Sequence, residues 1–267
     1  MGERLLHLRS HRKVLPLGND HRPDLETVLV GEFEIPLVVG GHGHDGAGAV
    51  ALDRFIAKDG LTLPKIEELE IALKHPPNFL TPALAEMLNA MRAHQLASGR
   101  HEVKHAWKDT SVLATAFKNN VPLTVHPGIG YDIFSNHPMF SGAALGRAAE
   151  VDFRTFGAAV EKLDGGVVLS VGSAIMGPQV FEKSISCVNN LRIQSRRNIV
   201  NGHSIYVVDL QDGGNWDWTK GEPPKDNPAY YLRFCKSYAR MGGTMHYLQC
   251  DNVSFLQHLW QELRSVK

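Results

Sequence analysis

Net charge is what this sequence most plainly lacks: 28 Lys and Arg face 28 Asp and Glu among 267 residues. With no global field of either sign, recruitment by nucleic acid, an anionic membrane or an acidic substrate is not expected, and electrostatic recognition must be local. Long apolar runs are missing as well. The longest, such as residues 35–41 and 165–171, fall far short of the roughly 20 residues that cross a bilayer. The opening stretch "MGERLLHLRSHRK" holds no sustained apolar core and no small-residue cleavage site, so no signal peptide is expected. Leu6 stands where a myristoylation signal has Ser or Thr. Cysteine is scarce and odd in number. Cys187, Cys235 and Cys250 form no C-x-x-C pair, which fits reduced thiols in a cytoplasmic protein rather than a disulfide framework or structural zinc. There is no internal repeat and no low-complexity tract. What the chain does have is 43% hydrophobic residues, enough to close a core at this length.

Short β-branched runs alternate with helical patterns. Strands are expected at Pro36–Val39, Val121–Val125, Val167–Val171, Ile205–Leu210 and Met245–Leu248, each mostly apolar as in a sheet covered on both faces. Helices are expected over Pro82–Leu96, with Thr81 as N-cap and Leu84, Met87, Leu88, Met91 and Leu96 on one stripe, and over Asp109–Lys118, Asp152–Leu163, Pro178–Leu191 and Asn252–Leu263. Gly165 and Gly166 stop one helix before the next strand. The alternation predicts an α/β fold, a three-layer sandwich with a mainly parallel sheet, as a single domain over residues 1–267. One irregular stretch, Gln211–Pro228, "QDGGNWDWTKGEPPKDNP", exceeds the usual connection length. Because it follows a strand, it belongs at the carboxyl end of the sheet, where open α/β folds bind ligands.

Three constellations carry chemistry. "VVGGHGHDGAGAV" places Gly41, Gly43 and Gly46 between a strand and a helix start, the G-x-G-x-x-G spacing of a dinucleotide or phosphate turn. A plain tight turn explains the same glycines, and His42, His44 and Asp45 offer a metal alternative. "VPLTVHPGIGYDIFSNH" scatters His126, Asp132 and His137, a two-histidine, one-carboxylate set that no helical spacing holds together. A strand running into glycine-rich backbone is more naturally the floor of a ligand pocket, with Asp132 available to a hydroxyl or an amine, although Asp132 also suits a turn cap. In "GGVVLSVGSAIMGPQVFEKSI" a strand ends in Gly172 and Ser173 and a helix begins near Gly177-Pro178, gathering backbone amides at a strand's carboxyl end.

Taken together, "TSVLATAFKNNVPLTVHPGIGYDI", "LDGGVVLSVGSAIMGPQVFEKSI", "SIYVVDLQDGGNWDWTKGEPPKDNPAYYLRFCK" and "MHYLQCDNVSFLQHLW" resemble, in order and spacing, blocks of the deoxyhypusine synthases over about residues 109–265. Residues 1–100 match poorly. The resemblance implies a Rossmann-like NAD-binding fold, usually a homotetramer, that oxidises a polyamine and passes an aminobutyl group to a lysine. It implies that Gly172 and Ser173 lie beside NAD, that Asp251 and Asn252 approach it from the last strand, that Asp132 faces the amine and that Lys236 forms the imine. Asp212, in the long loop, is a further carboxylate for a cationic amine. Departures are visible: Phe234-Cys235-Lys236 replaces the family's Trp-Gly-Lys, and "DGGNWDW" replaces its Gly-Ser-Asp loop. The expected function is an NAD-dependent enzyme acting on a small amine. The alternatives are a non-catalytic ligand-binding or regulatory protein of the same fold and a metal-dependent hydrolase using His42, His44, His126 and Asp132.

Overall fold

The computed structural model describes residues 49–266 apart from 79 and 174, all within one compact unit. The expected strand at Pro36–Val39 lies outside them. The described chain begins with α1 (Ala49–Ala57) and turns through Gly60, whose φ of 127° and contact with His101 O leave no room for a side chain. The turn feeds β1 (Gly60–Leu63), then α2 (Ile66–Ala72) and α3 (Thr81–Ala93), and β2 (Gly99–Glu102) returns antiparallel to β1. Neither this strand pair nor α2 is anticipated by the residue pattern. Leu84, Met87, Leu88 and Met91 close a small core with Leu63 and Leu69, on the stripe their helical spacing predicts. Two helix-end expectations need correction. Thr81 is the first helical residue, its hydroxyl accepting from Asn78 N–H, and α3 ends at Ala93 because Gln95 adopts φ 52° and Leu96 N–H returns to Met91 O.

The next helix, α4 (Val112–Lys118), is capped by Ser111, whose Oγ accepts from Ala114 N–H; a 3₁₀ turn at Lys108–Thr110 occupies the start expected for it. The expected strand Val121–Val125 is not formed. Pro122 removes a ladder donor from this short segment, and Val125 N–H donates instead to the buried Asp152 carboxylate at 2.9 Å. Downstream, α5 (Gly142–Val160) starts well before the expected Asp152, with Ser141 Oγ accepting from Ala144 N–H and Leu145, Ala148, Asp152 and Val160 buried. Gly146 and Gly157 sit within this helix with open space where a side chain would stand, so packing does not demand glycine at either position.

The carboxyl-terminal half holds the parallel sheet. β3 (Val167–Val171), α6 (Met176–Gln194), β4 (Ser204–Asp209), α7 (Arg233–Ala239), β5 (Thr244–Gln249) and α8 (Asn252–Ser265) follow in turn, and the strands pair in the order β3-β4-β5. The fold is therefore α/β with a parallel sheet. Alternation sends Ile205, Val207 and Met245 into one core with Phe181, Ile185, Val188, Phe234 and Tyr238. The other parity aligns Leu169, Tyr206 and His246; Leu169 is exposed, and the two rings stack at 4.7 Å. No helix among the described residues is long and apolar enough to cross a membrane.

The long loop after β4 is anchored rather than loose. Trp218 is buried and its indole N–H donates to Gly213 O at 2.9 Å, Trp216 donates to Gly221 O at 2.9 Å, and Glu222 takes Arg240 through two hydrogen bonds of 2.7 and 2.5 Å. Tyr247 O–H donates back to Gln211 O. Trp218→Ala should therefore cost the whole domain about 3–5 kcal/mol in urea unfolding, as a core aromatic does. A loss below roughly 1 kcal/mol would mean that the loop is not part of the cooperative core.

Candidate functional site

The three parallel strands end on one edge, and their following turns converge there. Gly172 leaves β3 with φ 75°, a conformation glycine adopts without strain, while its N–H donates to Val208 O at 3.2 Å. A Cβ on Gly172 would collide with Asn252 Nδ2. Thus the first residue of α8 reaches past the end of β4 to touch the turn after β3, and two stretches far apart in sequence form one surface. The Asn252 side-chain oxygen is buried without a hydrogen-bond partner. Ser173 Oγ accepts from Gly177 N–H at 2.8 Å, tying the turn to the start of α6. Asp251 caps α8, its carboxylate accepting from Ser254 N–H at 2.9 Å; that hydrogen bond holds its carboxyl below the usual range. Ile175, Met176, Leu210 and Val253, all exposed, belong to the same set of turns.

Lys236 sits on a different surface. On α7 it is Tyr238 whose hydroxyl approaches the Gly172–Gly177 turn, lying 3.3 Å from a Cβ placed on Gly177. Lys236, two residues earlier, projects about 200° away around the helix. Its Nζ lies over the Tyr230 ring, 3.5 Å from the centroid, and 3.9 Å from Glu222 Oε1. This is a seat for a cation. A hydrogen bond from Lys236, helped by its charge, holds the Tyr230 phenol below its ordinary range. Aromatic residues do surround the lysine, as its sequence context suggests, but through one ring face and one carboxylate rather than an apolar pocket.

Of the remaining expected site residues, Asp212 is at the sheet edge, where its Oδ1 accepts from Gly214 N–H at 2.9 Å. Asp132 closes its own turn: Oδ2 accepts from Gly128 N–H at 2.5 Å and its carbonyl accepts from Ser135 Oγ at 2.6 Å. Gly41, Gly43 and Gly46, with His42, His44 and Asp45, lie outside the described residues. His126 Nε2 meets Thr124 Oγ1 at 3.1 Å, while His137 Nδ1 accepts from Met139 N–H at 3.1 Å. The structure thus does not draw His126, Asp132 and His137 together, and among the described residues no three His, Cys, Asp or Glu side chains are arranged to hold a metal.

One cluster is not anticipated by the residue pattern. Asp53 of α1 and Asp152 of α5, 5% and 0% exposed, face each other electrostatically beside His126. Burial, reinforced by the charge of Asp152, pushes the Asp53 carboxyl up to about 7, and burial moves the His126 imidazole down. The only signal in the sequence is an acid at a core position of each helical stripe, visible once both helices are placed. Asp53 has a folded pKa above its unfolded value of 3.8, so between about pH 4 and 7 the folded protein keeps a proton the unfolded chain has released. Stability therefore falls as pH rises through that window, by up to about 1.4 kcal/mol for each pH unit crossed. Asp53→Asn should gain a few kcal/mol over the parent at about pH 8 and little at about pH 4 in chemical unfolding. An equal effect at both pH values would place the ionisation elsewhere.

A comparison of the chain with protein-family models, curated proteins and solved structures finds no match.

Proposed function

We propose that this chain is an NAD-dependent enzyme acting on an amine or polyamine-like small molecule at the carboxyl edge of its sheet, with the three-layer, Rossmann-like fold and transferase or oxidoreductase chemistry of the deoxyhypusine synthases it resembles. The observation that carries the reading is the Gly172–Asn252 contact: bare backbone at positive φ against the amide nitrogen of a side chain whose oxygen is buried without a partner, at the end of parallel strands. Such a surface suits a ligand that needs close backbone approach and offers a donor to Asn252. Gly172, Ser173, Asp251 and Asn252 would hold NAD, with the 41–46 glycines as a second strip of amides. When bound, NAD supplies a two-electron acceptor for oxidation at a carbon bearing nitrogen. Asp212, on the same edge with one oxygen left over, holds the cationic amine, and Asp132 offers a second carboxylate. Lys236 attacks only as a neutral amine, so it must leave the Tyr230 face and give up its proton to solvent; Glu222, 3.9 Å away, is paired with Arg240 and held too acidic to take it. The resemblance further supports a cytoplasmic homotetramer.

A second reading is favoured by one observation. Lys236 is seated as a structural cation between Tyr230 and Glu222, on a surface separate from Gly172 and Asn252, which suits a ligand-binding or regulatory protein that performs no chemistry.

Calorimetric titration with NAD separates the edge from the rest. NAD at about 100 times its Kd should stabilise the fold by about 2.7 kcal/mol, and Gly172→Ala, which thrusts a methyl at Asn252, should abolish the heat without unfolding the domain. No heat and an unchanged Tm at millimolar NAD would remove the dinucleotide. Borohydride trapping with NAD and candidate polyamines should then give an adduct on Lys236. Turnover in Lys236→Ala equal to the parent would leave that lysine structural.

A further inference from the structure

The last helix carries a surface that the proposed chemistry does not use. Phe255 and Leu259 of α8 are half-buried on the side turned to the domain. Val253, Leu256, Trp260 and Leu263 are 72, 52, 56 and 63% exposed, and none of the fourteen residues of α8 is buried. Their spacing of three, four and three residues puts them on one stripe, the a/d seam of a helix that packs against another helix. Val266, 77% exposed, prolongs the stripe past the helix end. These five side chains bare on the order of 500 Å² of apolar surface. That matches the largest patch on a typical monomer, and a helix laid along it, with the flanking polar rim, approaches the roughly 800 Å² per partner of a stable interface.

We propose that α8 is a dimerisation helix that pairs antiparallel with α8 of a second copy of this chain about a two-fold axis near His258. The sequence of the stripe is self-complementary in that register. Val253 of one copy meets Leu263 of the other, and Leu256 meets Trp260, so a large side chain always faces a smaller one. At helical spacing the borders of the stripe are Asn252, Gln257, Leu259 and Arg264, so no like charges meet across the contact, and exposed Arg264 lies against Trp260, 4.7 Å from its ring centroid. Antiparallel helices also oppose their macrodipoles favourably. A two-fold contact uses each feature twice, which a foreign partner would have to imitate.

Sedimentation velocity on the full-length chain across a concentration series tests this. The parent should show a reversible dimer or a larger assembly built from it. Trp260→Glu, at a surface position that should not disturb folding by circular dichroism, should raise the dimer Kd at least about 30-fold, as loss of an interfacial aromatic does. Leu256→Lys combined with Trp260→Glu should restore much of the association, since opposite charges then face each other across the axis in this register alone. A parent that stays monomeric throughout, a Trp260→Glu protein that self-associates like the parent, or a double variant no better than the single one would each overturn the proposal.

Discussion

Everything in the carboxyl-terminal half depends on the obligation of parallel strands to be joined by crossovers of one hand. Because β3, β4 and β5 pair in sequence order, and right-handed crossovers are close to universal, α6 and α7 are driven onto the same face of the sheet. That face becomes the core, with Ile205 and Met245 buried at 0 and 1% against Phe181, Phe234 and Tyr238. The same rule sends all three strand ends to one edge. It also leaves the opposite parity without a crossover helix of its own, and Val167 and Leu169 remain exposed there.

The topology also qualifies where ligands belong. In doubly wound folds the crevice opens where strand order reverses. Among the described strands there is no reversal, so no crevice arises from the sheet alone. What gathers at that edge is a contact: Asn252 reaches over the end of β4 to Gly172, so the start of α8 and the turn after β3 form one surface.

Much of this is legible in the residues. The three runs at 167–171, 205–210 and 245–248 become strands because each is short, rich in apolar β-branched or aromatic residues and near Gly or Asp, and the helices between them keep their stripes. Gly172, Ser173, Asp251 and Asn252 are legible as strand-end turns, and the parallel sheet brings their elements to one edge. The segment 121–125 misleads because its composition suits a strand while Pro122 within it does not; Asp152, far away in sequence, takes the Val125 N–H that a ladder would have used. The pairing of β1 with β2 and the Asp53–Asp152 cluster are not legible at all. Both depend on contacts between segments widely separated in the chain, and a single acid inside an apolar stripe looks like any surface residue until its neighbour is placed beside it.

The imine-forming role expected of Lys236 rests on the order and spacing of the sequence blocks around it. On the helix it is Tyr238, packed in the core beside Phe181 and facing the turn at Gly177, that holds the orientation of α7. Turning Lys236 toward the edge would rotate Tyr238 out of that core, which costs several kcal/mol of buried aromatic surface. Rotation of the helix is therefore not a route to catalysis. The loop that supplies Glu222 is fixed as well, by Arg240 just past the end of the same helix and by the buried Trp218.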